Sequence, residues 1–156
     1  MSGESKTVSL EALIPAIETA LAAGGTAELT VVGHSMMPLL LDRVSRVRLI
    51  PVTAPKRGDM VLYRRQSGSY VLHRIVRCEA DGTFTLCGDG QYLPERGIEG
   101  SQLIAVVSAF ARREKWRDCG NIGYRLWWHL RLADRPGRRA IAKLKRMISG
   151  GLALFC

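Results

Sequence analysis

The sequence predicts a small, mainly β (α+β) fold: a β core with a leading helix and a basic helical tail. Three observations predict it. Apolar residues recur at helical spacing over residues 9–23, short strand-like runs broken by Pro, Gly and Asp fill 28–110, and a basic, helix-patterned stretch follows Arg112. The 156 residues suffice for about one domain with its own core. With 47% apolar and 24% charged residues, the composition is that of a folded chain, not a disordered one.

In the leading helix, Leu10, Leu13, Ile14, Ile17 and Leu21 define one face, Ser9 offers an N-cap oxygen and Gly24-Gly25 ends the run. Residues 28–32 turn strand-like and lead into Gly33-His34-Ser35. Residues 46–50 alternate charged and apolar side chains, as a half-buried strand does. Pro51, Pro55 and Gly58 break that strand, and 59–64 resume as another, with Asp59 fixing its start. Residues 70–78 and 83–88 read as a hairpin across Ala80-Asp81-Gly82. A two-residue Asp81-Gly82 loop sets His73 opposite Gly90 and Val76 opposite Cys87. A three-residue loop with Gly82 left-handed pairs Val76 with Leu86 and Cys78 with Phe84, and sets His73 opposite Asp89. A one-residue slip turns every side chain to the other face, and only the second register makes an apolar face, so it is the one expected.

A strand over 103–110 closes the core. Beyond it, Tyr124, Leu126, Trp127, Leu130 and Leu132 form one helical segment, interrupted by Pro136-Gly137. Ile141, Leu144, Met147 and Ile148 form a second apolar stripe among Arg138, Arg139, Lys143, Lys145 and Arg146. The expected organisation is a helical segment over 1–27, a β domain over 28–111 and a basic helical tail over 112–156.

Charge follows the same division. Residues 1–111 hold 11 basic and 11 acidic residues, whereas 112–156 hold 12 and 3, which accounts for the net +9. Cys78, Cys87, Cys119 and Cys156 form no CxxC pair and have no His at metal-ligand spacing, so free thiols and no metal or other cofactor are expected. No run approaches 18 apolar residues and the first residues lack the order of a secretory signal. A cytoplasmic or membrane-surface location is expected.

Chemistry concentrates in four short motifs. Gly33-His34-Ser35-Met36-Met37-Pro38 presents a serine on a small-residue turn, and Arg57-Gly58-Asp59-Met60-Val61-Leu62-Tyr63 follows. Leu72-His73-Arg74-Ile75-Val76 brings a histidine 38 residues after the serine. Gly88-Asp89-Gly90, with Glu95-Arg96-Gly97 beyond, brings carboxylates. Serine, histidine and carboxylate are the parts of a hydrolase that works through an activated hydroxyl.

In this order and spacing the motifs, over about 28–110, resemble the signal peptidase I superfamily, which includes the LexA-type self-cleaving repressors. Bacterial signal peptidases and LexA-type proteins carry a lysine base where this chain has His73; histidine there resembles the archaeal and endoplasmic-reticulum branch. A histidine with an ordinary pKa of ~6.5 needs no burial to act as a base at neutral pH. The resemblance implies endoproteolysis of a signal- or leader-bearing precursor after small residues, with Ser35 as nucleophile and His73 as base. It places Gly33 at the oxyanion side of the turn and Met36 and Met37 in the substrate pocket. The acid is open: the hairpin register favours Asp89, and the motif order favours Glu95, where this chain has glutamate for the family's aspartate. His34 also replaces the commoner small residue before the serine.

Two partners are expected: a precursor peptide, and an anionic membrane surface met through 112–156. Trp127-Trp128, the polybasic stripe and Leu152-Ala153-Leu154-Phe155 favour an interfacial helix over a nucleic-acid site, which rests on charge alone. Two rival functions stand beside the peptidase. One is a self-cleaving regulator cut at Ala22-Ala23-Gly24-Gly25; the other is a non-catalytic relic that binds peptide or membrane.

Overall fold

Among the described residues, eight short strands organise the chain. The computed structural model describes residues 9–133 together with 137, 140 and 141. Helix α1 (Leu10–Ala22) starts where Ser9 accepts the Ala12 N–H, and it buries Ile14, Ile17 and Leu21. Gly24, at φ +75°, ends it.

The strands β1 (Ala27–Thr30), β2 (Ser45–Ile50), β3 (Met60–Arg64), β4 (Tyr70–Cys78), β5 (Phe84–Cys87), β6 (Glu95–Ile98), β7 (Leu103–Arg112) and β8 (Lys115–Asp118) form one antiparallel sheet. The order is β1-β2-β7-β3-β4-β5-β6, with β8 also paired to β7. Strand β7 is the axis. It meets β3 through Val106 opposite Val61, β2 through Phe110 opposite Val47, and β8 through Ala111 opposite Trp116.

Successive side chains of a strand point to opposite faces, and both faces of this sheet are covered. The larger core holds α1's Ile14, Ile17 and Leu21 with Leu49, Met60, Leu62, Val107 and Phe110. The smaller gathers Val61, Tyr63, Ile75, Leu86, Ile98 and Leu103. Strand β3 feeds both, which is why Met60 to Tyr63 are all buried.

The hairpin corrects the expected register. Its loop is as expected, with Gly82 at φ +84° and Cys78 opposite Phe84. A bulge after Arg77 and Thr85 then shifts the pairing, so Leu86 faces Ile75 instead of Val76, and Cys87 faces Arg74. Ile75 and Leu86 are both fully buried, while Val76 is half-buried. Putting the larger apolar pair in the small core sets the register, and the strand pairing does not bring His73 opposite Asp89.

Beyond Arg112 the chain stays in the sheet as β8 before α2 (Ile122–Ala133) begins. The Asn121 side chain accepts the Gly123 and Tyr124 N–H groups, at 2.9 and 3.4 Å, and caps α2. Trp128 and Tyr124 are buried and Trp127 is half-buried, so the paired tryptophans expected to meet lipid pack on the protein body. Gly58 makes room for this. Its φ is +101°, and a Cβ built there would lie 2.3 Å from the Trp128 ring. The face of α2 turned away carries Ile122, Leu126 and Leu130, each at least 60% exposed. Ile141 is also exposed; the rest of its stripe (Leu144, Met147, Ile148) and residues 152–155 lie outside the described residues.

Candidate active site

The Ser35 turn begins where β1 leaves the sheet. Gly33 adopts φ +99° and donates its N–H to Asp42 Oδ1 at 2.7 Å. Met37 N–H returns to the His34 carbonyl at 3.1 Å, and Leu40 N–H to that of Met36 at 3.0 Å. Met36, Leu39 and Leu40 are buried, His34 is exposed and Ser35 is half-buried. Three core residues thus anchor a turn whose serine stays accessible.

The Gly88-Asp89-Gly90 segment is seated directly against this turn. Gly90 N–H donates to the Ser35 carbonyl at 2.8 Å. A Cβ at Gly88 would lie 2.3 Å from that carbonyl oxygen and 3.1 Å from the Ser35 Cβ, so only glycine permits this approach.

Strand β4 supplies two adjacent polar side chains to opposite faces. His73, between Val71 and Ile75, shares the face of the smaller core; Arg74 shares that of Leu72 and the larger one. Each meets its own carboxylate. Arg74 donates through Nε to Asp89 Oδ1 at 2.8 Å and through Nη2 to Oδ2 at 2.6 Å, with both side chains almost fully buried. Its Nη1 donates to the Gly58 carbonyl and the Tyr124 hydroxyl, both at 2.7 Å. Burial opposes the Arg74 charge, and the Asp89 carboxylate overcomes it, leaving the guanidinium held above its ordinary pKa.

His73 faces Glu95 instead. Its Nδ1 lies 3.5 Å from Glu95 Oε1 and 3.2 Å from the Tyr63 hydroxyl. Glu95 reaches it because it opens β6 opposite Leu86. Arg65 grips both Glu95 oxygens, one through Nε at 2.9 Å and the other through Nη2. These hydrogen bonds hold the Glu95 carboxyl below its ordinary range despite the opposing burial. Burial, with Glu95 alongside, pushes the Tyr63 phenol up, so it stays a neutral hydroxyl.

Ser35 and His73 line one cleft of about 810 Å³, together with Arg65. Its apolar wall includes Leu10 and Leu13 of α1, Leu29 of β1, Met36 and Leu72. Among the expected site residues, Met36 lines the cleft, while Met37 turns its carbonyl toward the Gly90 position. Gly33 spends its N–H on Asp42, so it is a shaping residue of the turn. Asp89 is tied to Arg74 on the opposite face of β4, and Glu95 is the carboxylate beside His73.

The motifs assign no chemical role to Arg65, Tyr63, Arg74 or Tyr124. Arg74 directly follows His73, so strand alternation could have flagged it as needing a second carboxylate; Arg65 carries no such signal. Among the described residues, no cluster of three or more His, Cys, Asp or Glu side chains could hold a metal ion. Cys78 and Cys119 are free thiols, and burial pushes the Cys119 thiol up to about 12, away from reactivity. No family model matches this chain, and no curated protein matches it.

Proposed function

We propose that the chain is a serine endopeptidase of signal-peptidase type, working through Ser35, His73 and Glu95. The observation that carries this reading is that Ser35 and His73 share one cleft while Glu95 stands at His73 Nδ1. A charged Glu95 favours the tautomer with the proton on Nδ1, which leaves Nε2 to act as the base. Ser35 Oγ then attacks the scissile carbonyl as Nε2 takes its proton. The imidazolium returns that proton to the leaving amine, and water hydrolyses the acyl-enzyme by the same route. With Gly33 N–H committed to Asp42, the Ser35 backbone N–H is among the oxyanion donors of this reading.

The walls of the cleft support the substrate class. A leader- or signal-bearing peptide with an apolar stretch fits a cleft lined by Leu10, Leu13, Leu29 and Leu72. The membrane partner rests on the outward Ile122, Leu126 and Leu130 of α2 in a region of strong positive charge, a surface suited to anionic lipid. Among the described residues no helix is long and apolar enough to cross a membrane.

Self-cleavage is the weaker alternative. The Ala23-Gly24 bond sits in the closing turn of α1, where Ala23 N–H bonds Thr19 O and Gly24 N–H bonds Leu21 O. A peptidase needs an extended bond, so α1 has to unwind there first. The non-catalytic alternative leaves unexplained why Arg65 and Glu95 are spent on orienting a histidine in a cleft.

The test is cleavage of a peptide library carrying small residues before the scissile bond, analysed by mass spectrometry. The wild-type chain is expected to cut and the Ser35→Ala variant to lose at least a thousandfold in rate. Equal cleavage by both contradicts the proposal.

A further inference from the structure

Helix α2 belongs to none of the four motifs, yet hydrogen bonds connect it to the Ser35 turn in three steps. Tyr124 on α2 accepts from Arg74 at 2.7 Å. Arg74 holds both oxygens of Asp89, at 2.8 and 2.6 Å. Asp89 lies between Gly88, which abuts Ser35, and Gly90, whose N–H donates to the Ser35 carbonyl at 2.8 Å. Arg131 of α2 adds a longer contact, 3.4 Å, to the Asp89 carbonyl. Arg74 follows His73 on β4 with its side chain on the opposite face, so the link from α2 runs to the Ser35 turn through Asp89.

The arrangement is more than packing. A helix held by apolar contact alone needs Trp128 against Gly58 and Tyr124 against Phe110, with ring centroids 5.3 Å apart in the latter pair. Here the Tyr124 hydroxyl also completes the coordination of a buried cation, and that cation holds the loop on which the serine turn is seated. Buried hydrogen bonds to a charged group are among the stronger ones and fix geometry as well as energy.

We propose that α2 is a positioning element for the Ser35 turn, with Tyr124 the positioning residue that acts through Arg74 and Asp89. Undocking α2 loosens Gly88–Gly90 and misplaces the serine, which makes the helix that carries the outward apolar face a control point for the site. The functional sense of this rests on the Ser35 nucleophile reading; the coupling itself is measured without it.

The test is Tyr124→Phe in the full chain, which keeps the ring against Phe110 and removes only the hydroxyl. Amide hydrogen exchange followed by NMR is expected to show Gly90 exchanging about tenfold faster, with the central-strand amides of Leu62 and Val107 unchanged. With a fluorophosphonate probe, the limiting labelling rate is expected to fall about tenfold while the probe concentration for half-maximal rate stays constant. Unchanged exchange at Gly90, or exchange rising equally at Gly90, Leu62 and Val107, overturns the coupling. If the wild-type chain takes no label, the nucleophile reading fails, and a Gly90 response to Tyr124→Phe still supports the coupling.

Discussion

Glu95→Gln is expected to lower the rate at which Ser35 is acylated by about 10²- to 10⁴-fold while leaving the fold intact. The glutamine keeps the length of the side chain but loses the charge that orients His73 and stabilises its cation. It also presents an amide donor that can reach Nδ1 and favour the wrong tautomer. Tyr63, at 3.2 Å from the same nitrogen, remains as a neutral partner, which sets the lower bound of the range. The stability cost is small. Arg65 is 37% exposed and Glu95 29%, so the guanidinium regains water when its partner goes, and such a pair contributes about 0–1 kcal/mol. The acylation rate of a fluorophosphonate, measured beside the thermal midpoint, checks both halves.

The pH dependence has a definite sign. Because Glu95 is held below its ordinary value in the folded chain, its contribution to stability is present above the unfolded value of ~4.3 and is lost as pH falls through the lower folded value. Glu95 therefore stays charged across the neutral range.

Asp89→Asn is expected to act in the opposite way, costing about 3–5 kcal/mol of stability because it leaves the Arg74 charge buried without its carboxylate. Against a total of about 5–15 kcal/mol for a domain, that removes much of the margin. The midpoint of urea unfolding is expected to fall by about 1–5 M, given a slope of about 1–3 kcal/mol/M. Replacing both partners, Arg74→Met with Asp89→Leu, is expected to be milder than Asp89→Asn alone, since no isolated charge remains. If instead Asp89→Asn abolishes acylation with an unchanged midpoint, Asp89 acts in the chemistry and its placement with Arg74 is not the whole of its role.

These two carboxylates also show what was legible in the sequence. Period-two alternation and turn residues located β1 to β5 and β7 within about two residues, and Gly, Pro or Asp lies close to both ends of β1 to β5. Strand β6, Glu95-Arg96-Gly97-Ile98, has a single buried apolar residue and offered no periodic signal. Strand β8 is equally polar and exists because it pairs with the far half of β7. The bulge in β4 was invisible because it is set by the depth of the small core, a property of Ile75, Leu86 and Ile98 together. Without that bulge the hairpin points to Asp89; with it, Glu95 at the start of β6 becomes the neighbour of His73. The tryptophans were misplaced for a related reason. α2 is apolar on two faces, and the space left at Gly58 admits Trp128 on the inward one.

The site of fluorophosphonate modification, mapped by peptide mass spectrometry, tests Ser35 and His73 directly. A single adduct on Ser35, lost in His73→Ala, is the expected result. A chain that stays folded and unmodified, or one labelled at another serine, contradicts the assignment of Ser35 and His73 as a nucleophile and its base.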